Sequence, residues 1–223
     1  MKNRYLVTGV LLAAVLAAVV LAVKKSHSSR TAPSIPRANA ASPSRFRSKG
    51  PEDARVQIIE YSDFQCPACR NAQAQIQKIL DDFPGQIYFT FRHFPLAGHP
   101  WSMIAHQAAE CANRGGKFWE YHDRLYREQA VWSASTTSPS EFFLKYARDL
   151  DLNLDTFAAC MTDQALTVKI LEERAEGERF QVKSTPTFFV NGERIVGGVE
   201  LAAKAHDMIR QIVGPAPSRG NKT

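Results

Sequence analysis

The residues with the clearest capacity for chemistry are Cys66-Pro67-Ala68-Cys69. Two cysteines with two residues between them, at the start of a helix, lie within disulfide reach of each other. Unpaired backbone N–H groups and the helix dipole favour an anion at such a start, so the Cys66 thiol is expected to ionise below its ordinary value. A stabilised thiolate also leaves readily from a disulfide. Cys69 falls one turn further in, on the face of Ala72 and Ile76, and is expected to be buried. The chemistry is then thiol–disulfide exchange, with Cys66 forming the mixed disulfide and Cys69 resolving or re-forming the bond. The motif also invites other readings. A zinc site needs two further ligands, and no second Cys-x-x-Cys or His-x-x-x-His accompanies the pair. Haem attachment needs a histidine after the second cysteine, where Arg70 stands. A purely structural disulfide has little to stabilise in so short a loop.

The elements around the motif suit that role. Val56 to Tyr61 is a short, largely apolar run expected to form a strand buried on both faces. Pro67 fits the first position of a helix running to Leu80, and Ile87 to Phe94 reads as a second strand. Strand, helix and strand make one βαβ unit with parallel strands. Helical patterns follow over Ser102–Asn113, Lys117–Gln129, Ser140–Asp149, Leu154–Met161 and Thr167–Arg179. The aromatic stripe Phe118, Trp119, Tyr121, His122, Leu125 and Tyr126 reads as core. Asn191-Gly192 between Thr187–Val190 and Glu193–Val196 signals a β-hairpin, and Leu201–Val213 a closing helix.

The 223 residues carry a net charge of +6, but that charge is unevenly placed. Residues 1–50 hold nine basic residues and no acidic one, whereas 51–223 hold 19 basic and 22 acidic residues. The folded part is therefore mildly acidic, which argues against nucleic-acid binding. Leu6 to Val23 is an uncharged 18-residue apolar run, read either as a transmembrane anchor or as a cleaved signal segment. Residues 24–50, rich in Ser, Ala, Pro and Arg, read as a flexible basic stalk, and 214–223 as a disordered tail. Flanking charge does not orient the segment, since lysine or arginine stands on both sides of it. His93, His99, His106 and His122 show no metal-ligand spacing.

Glu60-Tyr61-Ser62-Asp63-Phe64-Gln65-Cys66-Pro67-Ala68-Cys69, with Ser184-Thr185-Pro186-Thr187 far downstream, resembles the DsbA-like branch of the thioredoxin superfamily. The resemblance covers roughly residues 50–213. It implies an α/β fold: a thioredoxin fold with an inserted helical domain at about 100–180, in a DsbA-like thioredoxin domain of 51–213. It implies that Cys66 and Cys69 are the redox-active disulfide and that Pro186 is a cis-proline facing them. Thr185 and Pro186 would then bind an extended substrate as an added strand. It places a buried acid at Glu60, which shares a strand face with Val56 and Ile58 and would exchange a proton with Cys69. Between the cysteines the family's best-known oxidants have Pro-His. Pro-Ala here supplies no cation to the thiolate.

Cys111 and Cys160 lie in the helical stretch. Taken alone they are either two buried thiols or a disulfide, and the resemblance implies a structural disulfide. The function so implied is oxidation of cysteines in secreted or envelope proteins, outside the cytoplasm. The expected cysteine-containing substrates would be joined by a membrane redox partner, with the N-terminal segment in the cell membrane or cleaved. No dissociable cofactor is expected, because the disulfide carries the electrons. A disulfide reductase or isomerase, and a non-catalytic chaperone-like binding module, are the alternatives.

Overall fold

A computed structural model of the chain describes residues 47–214. The apolar run at 6–23, most of the basic stalk and the tail lie outside the described residues. No helix among the described residues is long and apolar enough to cross a membrane.

Five strands form one mixed sheet: β1 (Ser48–Lys49), β2 (Val56–Ser62), β3 (Ile87–His93), β4 (Thr187–Val190) and β5 (Glu193–Val196), in the order β1-β3-β2-β4-β5. The β-branched run of β2 takes the centre. It pairs in parallel with β3, Val56 opposite Ile87, and antiparallel with β4, Tyr61 opposite Thr187. Helix α1 (Pro67–Asp82) makes the crossover between β2 and β3, the expected βαβ unit. Asn191 and Gly192 both have positive φ, 46° and 90°, which is the backbone that a tight hairpin turn demands between β4 and β5.

One face of the sheet is covered by α1 and by α8 (Gly197–Val213). Ile58, Phe89 and Phe188 from the strands meet Ala72, Ile76, Ile79, Leu201 and Ile209 from the helices there. The opposite face buries Tyr61, Phe94, Val182 and Phe189. Six helices intervene between β3 and β4: α2 (Ser102–Arg114), α3 (Phe118–Arg127), α4 (Gln129–Trp132), α5 (Ser140–Asp149), α6 (Leu154–Met161) and α7 (Gln164–Arg179). Their own core, with Leu125, Trp132, Phe143 and Phe157, runs without a break into Phe64, Cys66, Cys69 and Phe91. The two cysteines therefore sit at the seam between sheet and helical block. This is the α/β thioredoxin fold with an inserted helical domain.

The differences from the sequence reading have local causes. Residues 47–50, read as the end of the stalk, pack on the sheet: β1 pairs antiparallel with β3, and the buried Arg47 is held by Glu110 and Glu173. The helix expected over 117–129 breaks at Glu128 into α3 and α4. Helix α7 begins three residues before Thr167, because the Asp163 carboxylate accepts the Ala165 N–H and caps it. Helix α8 begins at Gly197 rather than Leu201, with the Glu200 carboxylate accepting the Val196 N–H.

Cys111 in α2 and Cys160 in α6 are joined by a disulfide across 49 residues of sequence. A loop of that length limits the unfolded chain by about 4 kcal/mol in the chain-entropy picture. Replacing both cysteines by alanine should lower the unfolding free energy by about 2–4 kcal/mol, read from urea denaturation. An unchanged midpoint would remove the bond from the account of stability.

Candidate active site

The strand–helix junction makes the site. Strand β2 ends at Ser62, the chain turns through Asp63-Phe64-Gln65, and Cys66 caps α1 with Pro67 at its first position. The Asp63 carboxylate holds this turn. It accepts the Gln65 N–H (2.8 Å), the Leu96 N–H (3.0 Å) and the Ser102 hydroxyl (2.7 Å), and pairs with His99 Nδ1 at 2.7 Å. From the helical block, Gln129 Nε2 donates to the carbonyls of Phe64 (2.7 Å) and Cys66 (3.0 Å). The turn is thus pinned from both sides.

Cys66 keeps 7% of its surface exposed and Cys69 none. The Thr185–Pro186 peptide bond is cis, and the Thr185 carbonyl accepts from the Cys66 thiol at 3.5 Å. Both cysteines are free thiols.

The two sulfurs are electrically unequal. The Cys66 thiol is brought down to about 5. The leading cause is a hydrogen bond from the Cys69 thiol, which burial opposes. The Thr185 hydroxyl, which has no other partner among protein atoms, and the backbone N–H groups of Cys69 and Ala68 lower it further. The helix start therefore contributes as expected, but the neighbouring thiol contributes more. Cys69 is pushed well above the ordinary thiol value, by burial first, then by the Cys66 sulfur and the negative field of Glu60.

Glu60 is fully buried on β2, and burial raises its carboxyl to about 7 against the opposing hydrogen bonds of Ser62 and Gln73. Its Oε1 accepts the Ser62 hydroxyl at 2.7 Å.

Of the residues singled out in the sequence, Cys66, Cys69, Glu60, Thr185 and Pro186 come together at this seam. Cys111 and Cys160 lie apart from them, within the helical block. Sequence reasoning missed Asp63, His99, Gln129 and the Ser62–Tyr126 pair, whose hydroxyls are 2.9 Å apart. The run Ser62-Asp63 between a strand and the cysteine pair was the one local signal available for them.

This arrangement can break and make disulfides: a sulfur that keeps a small exposed surface and is stabilised as an anion, a fully buried second thiol beside it, and a carboxyl that titrates near neutrality. The thioredoxin family profile matches residues 45–209, and the chain belongs to that family. Among solved structures, alpha-DsbA1 from Wolbachia pipientis superposes with a TM-score of 0.66 at 19% identity, covering 74% of this chain and 89% of that one. BdbD from Bacillus subtilis, in its oxidised form, gives 0.66 at 22% identity over 74% and 91%. A thioredoxin-like oxidoreductase from Silicibacter pomeroyi gives 0.62 at 24% identity over 78% and 98%. These likenesses show the DsbA-like fold. Fold and family together place the cysteine pair at the start of the first helix of a thioredoxin-family domain.

Among curated relatives, the Na(+)/H(+) antiporter NhaA 1 of Salinispora arenicola is 39% identical over 162 residues, which is 72% of this chain and 24% of that protein. NhaA of Herminiimonas arsenicoxydans is 30% identical over 68% of this chain and 23% of that protein. The chain spans about a quarter of the length of these relatives, and their transport activity is not carried over to it.

The cause assigned to the low Cys66 value is testable. Ultraviolet thiolate absorbance should give Cys66 a midpoint of about 5 in the reduced parent protein and a higher one in the Cys69→Ala variant. It should stay below a free cysteine's ordinary ~8.5, because the helix-start N–H groups remain. An unmoved midpoint would take Cys69 out of the explanation.

Proposed function

We propose that the protein oxidises cysteine pairs in polypeptides outside the cytoplasm. A substrate thiolate attacks the Cys66 sulfur of the oxidised enzyme. The Cys66–Cys69 bond breaks, a mixed disulfide forms on Cys66, and Cys69 leaves and takes up a proton. The second substrate thiolate attacks the substrate sulfur of the mixed disulfide, and Cys66 leaves as a thiolate. Two electrons pass from the substrate dithiol to the enzyme, and a membrane redox partner removes them.

The observation that carries the direction is the low Cys66 value of about 5. A thiol stabilised as its anion favours the reduced enzyme, and so makes the oxidised enzyme the better oxidant. Thr185, beside Cys66, is suited to pair with an extended substrate, and Pro186 follows it at the same edge. A compartment outside the cytoplasm is supported by the Cys111–Cys160 disulfide and by the apolar run at 6–23, which suits an anchor or a signal.

Glu60 is the proton carrier for Cys69. A carboxyl raised to about 7 keeps its proton to higher pH than an ordinary glutamate. Below that pH it donates to the departing Cys69, and above it, as a carboxylate, it accepts the Cys69 proton in the reverse step.

Two measurements test this reading. Equilibration with glutathione redox buffers should give a potential more oxidising than thioredoxin's, roughly −270 mV, and a value at or below that figure contradicts an oxidase. In the parent protein, formation of the Cys66–Cys69 bond from the Cys66 mixed disulfide should speed up as pH rises through about 7, and Glu60→Gln should lose that rise. A retained rise would remove Glu60 from the mechanism.

A further inference from the structure

When a substrate thiolate attacks Cys66, an electron pair moves onto the Cys69 sulfur. Cys69 has no exposed surface and belongs to the apolar cluster that holds Phe64 and Phe91. Charge appearing there needs a donor already in place, because water cannot supply one. A backbone group meets this need. The Asp63 N–H donates to Cys69 Sγ at 3.5 Å. The neighbouring Ser62 hydroxyl is not free for the same task, since its one hydrogen goes to Glu60 Oε1 at 2.7 Å.

The peptide that carries this N–H is fixed from both ends. Ser62–Asp63 is a trans peptide, so its C=O and N–H point in opposite directions. The Ser62 carbonyl accepts the Phe94 N–H at 2.9 Å, just past the end of β3, and the Asp63 N–H is thereby turned away from β3. Beyond the Asp63 Cα, the carboxylate is held by the Gln65 and Leu96 N–H groups, the Ser102 hydroxyl and His99, with His106 Nε2 3.7 Å from Oδ1. The Asp63 carbonyl accepts the Cys66 N–H at 3.1 Å. The backbone of one fully buried residue therefore touches both halves of the redox pair, and its side chain keeps that backbone from turning. A donor set in this way needs no reorganisation when charge arrives.

We infer that the Asp63 backbone N–H is a catalytic donor, receiving the charge that develops on Cys69 as the Cys66–Cys69 bond breaks. The substrate thiolate bonds to Cys66 Sγ, and the electron pair of the broken bond passes to Cys69 Sγ. The Asp63 N–H holds that thiolate until a proton reaches it, and gives up no proton itself. In the reverse step the same N–H eases removal of the Cys69 proton, Cys69 attacks the mixed disulfide, and the partner sulfur leaves with the electron pair. A thiol that gives its hydrogen to one neighbour still accepts from another, so this bond coexists with the one from Cys69 to Cys66.

This role rests on the exchange at Cys66 proposed above, and the experiment separates the two. Asp63 is replaced by its α-hydroxy acid through semisynthesis, which turns the Ser62–Asp63 amide into an ester and removes the N–H. A control ester at Asn191 removes an N–H that donates to the Gln57 carbonyl at 2.9 Å, near the opposite end of β2. Each oxidised protein is mixed with dithiothreitol, and acid quenching, alkylation and mass spectrometry follow opening of the Cys66–Cys69 bond. The Asp63 ester should open about tenfold more slowly than the parent, less than the roughly 10²–10³-fold loss of an oxyanion donor because sulfur accepts weakly. The control should open at the parent rate. Alkylation of Cys66 by iodoacetamide in the reduced proteins should change little, since no charge reaches Cys69 in that step. Parent-like opening in the Asp63 ester, equal slowing in the control, or equal slowing of opening and alkylation overturns the donor and leaves exchange at Cys66 standing. Failure of Cys69→Ala to hold a glutathione adduct on Cys66 overturns both. Should the Asp63 ester fail to fold, Cys66→Ala decides by nuclear magnetic resonance. Cys69 is then the one titrating cysteine, because Cys111 and Cys160 are bonded. The Asp63 amide proton should move downfield with the same midpoint as the thiolate absorbance, and an amide proton that stays in place overturns the donor.

Discussion

Everything at this site depends on one unequal sharing: a hydrogen bond from the Cys69 thiol to the Cys66 sulfur, made where water is nearly excluded. The bond stabilises negative charge on one sulfur by keeping the other protonated. Two identical side chains three residues apart thereby acquire opposite duties. Cys66 holds an anion at neutral pH, the form suited to attack and leave disulfides, while Cys69 keeps its proton. The fold exists, in this sense, to hold two sulfurs in different surroundings a single helical turn apart.

Several layers of structure maintain that difference. The cap of α1 points N–H groups at Cys66 and hides Cys69 against Phe64 and Phe91. The helical block is what excludes water from that side. Without α2 to α4 the buried face of the pair would be open, and neither the raised Cys69 nor the raised Glu60 would persist. The Asp63 and Gln129 contacts keep the turn before Cys66 from relaxing. The helical block therefore does more than shape a surface: it sets the dielectric in which the two thiols and Glu60 titrate.

Much of this was legible in the sequence because it is local. The Cys-x-x-Cys spacing, Pro67 at the helix start, the apolar run of β2 and the Asn191-Gly192 turn each act within a few residues, and each appears where it was read. Glu60 was legible as buried because alternate positions on its strand are apolar. What escaped is either too short to show a period or joined only by the fold. Strand β1 has two residues, and Arg47 looked like one more stalk cation until Glu110 and Glu173 were brought to it. The Ser62–Tyr126 contact spans 64 positions, and Gln129 reaches back 63 to Cys66. No local pattern encodes such pairs. The weight of the helix start on Cys66 was likewise read from a general rule, whereas the larger contribution depends on where the Cys69 proton points.

The most direct test of the unequal sharing is to watch both sulfurs at once. Carbon-13 labelling of the cysteine β-carbons in the reduced protein gives each thiol its own titration by nuclear magnetic resonance. The Cys66 resonance should move with a midpoint near 5, and that of Cys69 should stay in its protonated position well past the pH at which a free thiol has ionised. Two resonances titrating together at the value of an ordinary cysteine would contradict the account at its base.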